Sequence, residues 1–222
     1  MGTERLIEEL VQDLVPVRRV PAPSVRLMWW GLLSLPAVAL VVWLSGVRPD
    51  LVAKFSDPRF LFVEVAALVT ALVSTYAALC AGSPDTPAWK VWLPLLPMAL
   101  WLGALGRQCL GIDLWVGVGA LQLSLDARCI PAIALGGAVP AIVTAALLWR
   151  SRGFRTGHAC FCGALGAAAL SAAALRLYHT ADAALMVIVW ELGSVALFTL
   201  VAGVTARAVL GIRQPSGARR PL

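Results

Sequence analysis

Thiols, imidazoles and carboxylates are sparse in this sequence, and where they fall decides what chemistry is open to it. Cys109 and Cys129 sit at the borders of two successive apolar stretches. On neighbouring antiparallel helices such thiols can reach one level, and a disulfide then requires Cα atoms within about 7 Å. The run "HACFC", residues 158–162, has the residue types of a metal site. On a helix only His158 and Cys162 share a face, so chelation by all three side chains needs an unwound turn. Cys80 reads as a small buried apolar residue. Glu64 and Glu191 fall inside apolar stretches, where a charge costs about 3 kcal/mol on insertion scales. Each must be protonated, paired or turned to a polar interior, with Arg107, Arg176 and His179 as candidate neighbours. A proton or ion relay and an interhelical polar clamp are both open. No nucleophile–base arrangement or phosphate-cradling loop stands out, so neither an enzyme nor a cofactor is expected.

The elements that position these groups follow from composition. Of 222 residues, 60% are hydrophobic and only 14% charged, against about 25% charged in soluble domains. The fold class expected is an all-α membrane protein. Apolar stretches of about 20 residues, the length that crosses a bilayer core, predict six transmembrane helices: Leu27 to Val47, Phe60 to Cys80, a short one from Val91 to Leu105, Ile130 to Trp149, His158 to Leu175, and Ala184 to Thr205. With both termini inside, twelve of the 18 Lys and Arg residues fall on the inner side. The loop "RPDLVAKFSDPR" is the exception to that bias. The net charge of +6 follows topology and does not imply direct nucleic-acid binding. Cys109, Cys129 and His179, with Asp113, Asp126 and Asp182, then lie on or near the outer face. The small residues of "CGALGAAALSAAAL" allow close helix approach. Three segments result: residues 1–26 ahead of the first span, the bundle 27–206, and a basic tail 207–222.

No cleavable leader is evident, because the first 25 residues hold acids, arginines and prolines. They predict a short amphipathic helix. Leu6, Ile7, Leu10, Val11 and Leu14 form one apolar stripe, Glu4, Arg5, Glu8, Glu9, Gln12 and Asp13 fill the remainder, Thr3 caps the start and Pro16 stops it. A helix this short must bury its stripe on lipid, on the protein's own loops or on a partner. Its acidic charge disfavours an anionic leaflet and suits a partner's groove. "PVRRVPAPSVR" follows as a stiff linker with Arg18, Arg19 and Arg26 placed for lipid phosphates or, for the first two, partner contact.

The segments "LIEELVQDLVPVRRV", "GVRPDL", "WLGALGRQCLG", "LDARCIP" and "ALRLYHTADAALMVIVWELGSV" together resemble the NrsF-like family, negative regulators of sigma-F, along nearly the whole chain. The resemblance implies a six-span inner-membrane anti-sigma factor that holds an extracytoplasmic-function sigma factor through its cytoplasmic N-terminus. It implies sigma contacts at Leu6, Ile7, Leu10, Asp13, Leu14, Arg18 and Arg19. It also implies stress sensing by two outer-face cysteines, one matching Cys129. His179 stands where the family has the other, so a Cys129–His179 metal site, or Cys109 as replacement thiol, are the remaining routes to sensing. The competing expectation is a small transporter or permease subunit using Glu64 and Glu191, and a third is a purely structural assembly factor.

Overall fold

The computed structural model describes residues 3, 4, 7, 11, 20–83, 86–116, 129–149, 155–178, 193, 195–197, 200, 201 and 204, with backbone alone for 108–116 and 129–135. No strand occurs among the described residues. Helix α1 is Pro23–Ser45, α2 is the short Leu51–Phe55, α3 is Pro58–Ala81, and a 3-10 turn, Ala88–Trp92, leads into α4, Leu95–Val116. Helices α5, Cys129–Trp149, and α6, Thr156–Tyr178, complete the set. Local chemistry sets several ends. Pro23 and Pro58 open α1 and α3 in the first turn, where a missing N–H costs nothing. The Asp57 carboxylate accepts from the Arg59 N–H at 2.9 Å. α1 stops at Gly46, whose φ of +83° suits a residue without Cβ.

Among the described residues, four stretches are long and apolar enough to cross a membrane: Pro23–Ser45, Pro58–Ala81, Ala88–Arg107 and Thr156–Tyr178. That is fewer than the six expected. α5 covers the whole of the expected fourth span, Ile130 to Trp149, as one helix, and its part with described side chains, Gly136–Trp149, is a shorter apolar stretch. Most of the expected sixth span lies outside the described residues, though Gly193, Val195, Ala196, Leu197, Leu200, Val201 and Val204 are helical. The expected third span, Val91 to Leu105, falls within Ala88–Arg107, but the α-helix there has other bounds. Its helix begins at Leu95 rather than Val91 and runs on to Val116 rather than ending near Leu105. Arg107, Gln108 and Asp113 interrupt the hydropathy there without breaking the backbone hydrogen bonding. Cys109 therefore lies seven residues inside α4, about 10 Å from its end at 1.5 Å per residue.

The bundle is built around α6, which is buried from Cys162 to Leu175. A Cβ on Gly166 would stand 2.4 Å from Thr75 Oγ1 and 3.1 Å from the Ala71 carbonyl oxygen, and one on Gly163 would meet the Thr144 methyl at 2.9 Å. Small residues thus bring α6 within backbone reach of α3 and close to α5. These two contacts also give direction. The Arg155 N–H donates to the Ala81 carbonyl at 3.2 Å, while Glu64 and Arg176 meet at the opposite end, so α3 and α6 run antiparallel. Trp30, Val38, Val63, Ala67, Trp101 and Leu170 belong to the main apolar core.

Candidate functional site

At the N-terminus Thr3, Glu4, Ile7 and Val11 are helical. Ile7 and Val11 are four apart and so share a face, and they are 55% and 57% exposed. Glu4 is exposed as well. An apolar pair beside a carboxylate therefore faces outward. Leu6, Leu10, Asp13, Leu14, Arg18 and Arg19 lie outside the described residues.

Arg26 departs from its expected place among lipid phosphates. It is 2% exposed and its guanidinium donates to the Leu147 carbonyl near the C-terminal end of α5. The last four carbonyls of a helix have no partner within it and carry the negative end of its dipole, so a guanidinium is a good match. One turn further on, Trp30 Nε1 donates to the Pro140 carbonyl at 3.1 Å.

Arg48 repeats the device at the other end of α1. It is 4% exposed, and its backbone N–H donates to the Leu177 carbonyl at 3.1 Å while Nη1 donates to the Arg176 carbonyl at 3.4 Å. Both acceptors belong to the last turn of α6. Asp50 grips the same guanidinium in a fork, with Nε to Oδ1 at 2.6 Å and Nη2 to Oδ2 at 2.8 Å. That hydrogen bonding holds the Asp50 carboxyl below the usual carboxylate range. Arg48 opens the loop that is the exception to the inner-side charge bias, and the last turn of α6 and Asp50 give this arginine a structural use. Sequence reasoning missed this node, although the Arg–Pro–Asp spacing after Gly46 is the signal that could have found it.

Behind the node, Arg176 lies with Nε 3.6 Å from Glu64 Oε2 and its guanidinium carbon 4.9 Å above the Phe60 ring. Of the neighbours considered for Glu64, Arg176 is the one the fold brings up, while Arg107 is exposed. Glu191 and His179 lie outside the described residues. Cys129 opens α5, and neither its side chain nor that of Cys109 is described. In "HACFC" His158 packs edge-on against Trp92, with ring centroids 5.6 Å apart, and Cys162 points its thiol at the Val91 carbonyl, 3.9 Å away. Cys80, Cys160 and Cys162 are free thiols. Among the described residues no group of three or more His, Cys, Asp or Glu could hold a metal.

Long apolar helices suit a membrane protein, and the side chains brought together among the described residues make structural ties. The family model for the negative regulator of sigma F matches residues 10–211, and the chain belongs to this family, NrsF. The family is one of regulators, and its name implies a sigma factor as partner. Comparison with curated proteins and with solved structures gave no match.

Proposed function

We propose that this protein is an inner-membrane anti-sigma factor. Residues 1–26 are its cytoplasmic sigma-binding segment, 27–206 its transmembrane bundle of six helices, and 207–222 a cytoplasmic tail. The N-terminal helix holds an extracytoplasmic-function sigma factor through Leu6, Ile7, Leu10, Asp13, Leu14, Arg18 and Arg19. Envelope, oxidative or metal stress acting around Cys109, Cys129 and His179 releases it. The observation that carries this reading is the outward-facing Ile7–Val11 pair on a helical, acidic N-terminus, in a chain of the sigma-F regulator family. An amphipathic helix with apolar anchors at helical spacing is a common way to fill a groove on a partner. The twelve-to-six distribution of Lys and Arg supports the inside placement of this segment.

The transporter reading draws less support, because Glu64 is buried facing Arg176, whose guanidinium lies over the Phe60 ring. An interhelical clamp explains that arrangement without transport.

The test is affinity purification of the full chain in mild detergent, beside a Leu10→Asp/Leu14→Asp variant. Burying two carboxylates in an apolar groove should weaken binding by at least about a hundredfold, since each unpaired buried charge costs several kcal/mol. A sigma factor should co-purify with the parent chain and be lost from the variant. Equal recovery from both would remove the stripe from the contact.

A further inference from the structure

We propose that Arg48 is a positioning residue that couples the last turn of α6 to α1, and through α1 to the N-terminal segment. The inference rests on the proposed function for what that segment holds; the mechanical coupling itself stands on the fold. Arg48 touches both elements at once. It follows α1 by three residues, its N–H and Nη1 hold the Leu177 and Arg176 carbonyls of α6, and Asp50 fixes its guanidinium. In the sequence Leu177 is two residues ahead of His179.

α1 is suited to carry a movement of the last turn of α6. Its lateral packing is thin, with Met28, Leu32, Leu33, Leu40, Trp43 and Leu44 exposed. Beside the buried stripe of Trp30, Val38 and Val42, which joins the main core, it is held by polar contacts: Arg26 on Leu147, Trp30 on Pro140, and Arg48, three residues past its end, on α6. A tilt would pivot at Trp30, four residues from Arg26 and 18 from Arg48, and would reach the Arg26 end reduced about fourfold at 1.5 Å per residue. An axial slide or a rotation passes along a hydrogen-bonded helix undiminished. The coupling is therefore a slide or twist of α1, on the ångström scale typical of helix shifts between packed states. At the Arg26 end it passes to the proline-containing linker, which is stiff enough to move the stripe with it.

The experiment places genetically encoded spin labels at Val20, just ahead of α1, and at Thr156, the first residue of α6, in the full chain in lipid nanodiscs. Arg48→Met keeps the bulk of the side chain and removes the guanidinium; Asp50→Asn keeps Arg48 and removes its counter-charge. The expected result is a shift of about 2 Å or more in the Val20–Thr156 distance for Arg48→Met, a smaller shift for Asp50→Asn, and a several-fold fall in the sigma factor recovered with each. Distances at the parent value in both variants would overturn the proposal. If Arg48→Met does not accumulate in membranes, Asp50→Asn alone decides: a shifted distance supports the coupling and an unchanged one refutes it. A shifted distance in a chain whose parent form binds no sigma factor would keep the coupling and remove the anti-sigma reading.

Discussion

Helices α6 and α1 are of equal length, 23 residues each, yet they are held in opposite ways. α6 is enclosed along most of its length by small residues set against α3 and α5. α1 shows much of its surface outward and is tied at three points by Arg26, Trp30 and Arg48. Lipid is as apolar as leucine, so hydrophobic burial does little to join helices within it. Close backbone approach and polar ties remain: α6 is set chiefly by the first, whereas α1 adds the second to its buried Trp30, Val38 and Val42. The first makes a fixed axle. The second makes a member that can be re-seated by changing a few contacts.

The largest break in this contrast is expected at Gly166. A methyl there collides with Thr75 Oγ1 and crowds the Ala71 carbonyl and the Thr75 nitrogen, both at 3.1 Å. Since backbone cannot step aside as a side chain can, Gly166→Ala should cost about 1–3 kcal/mol, and Gly166→Leu more. Gly103 of α4 supplies the control, with nothing within 4 Å of its would-be Cβ. Gly103→Ala, in an open interior helix position, should be neutral or stabilising by up to about 1 kcal/mol. Denaturation of the purified protein in detergent reads both, and equal loss at the two glycines would show that α6 is not the tightly packed member.

Much of α6 was legible because its packing is written in composition: small residues on consecutive turns leave room for backbones and little else. Hydropathy places the starts of α1 and α3 at Leu27 and Phe60, four and two residues late, because it takes no account of the local signals at Pro23 and Asp57–Pro58. The ties of α1 were not legible. Arg26 and Arg48 read as topology signals, since sequence shows that an arginine borders an apolar span but not which carbonyls lie beyond the loop. The length of α4 was missed because hydropathy, used as the measure of helix, falls at Arg107, Gln108 and Asp113 where hydrogen bonding continues. Arg176 could be named as a neighbour for Glu64, but pairing it rather than Arg107 required the antiparallel register of α3 and α6. The apolar stripe was read from period alone, and of its residues Ile7 and Val11 are the two described.

A smaller effect is expected where α1 is tied by a neutral hydrogen bond. Trp30→Phe removes the donor to the Pro140 carbonyl, but that oxygen keeps the Thr144 hydroxyl at 2.7 Å and is not left orphaned. The loss should be about 1–2 kcal/mol, from one interhelical hydrogen bond and part of a buried indole. The same denaturation measurement checks it. A loss as large as that of Gly166→Leu would mean that α1 depends on packing after all, and would narrow its difference from α6.

The smallest effect concerns the acid limb of the Arg48 tie. Asp50 is hydrogen-bonded to Arg48 as a carboxylate, so its folded-state pKa lies below the unfolded value of about 3.9. A carboxyl shifted in this direction adds stability that is fully present above the unfolded pKa and disappears as pH falls through the folded one. Its contribution should therefore be constant from pH 8 to about pH 5 and fade below about pH 4. Because the Asp50 side chain is 45% exposed, solvent screens the pair and the change is modest. Unfolding midpoints across pH 3–7 for the parent chain and for Asp50→Asn should run parallel at neutral pH and converge in acid. The α6 backbone contacts, which carry no titrating group, should leave Gly166→Ala with an offset that does not change over the same range. Convergence of Gly166→Ala as well would place the acid-sensitive contact in the packed half of the molecule, whereas convergence of Asp50→Asn alone locates it at the joint between α1 and α6.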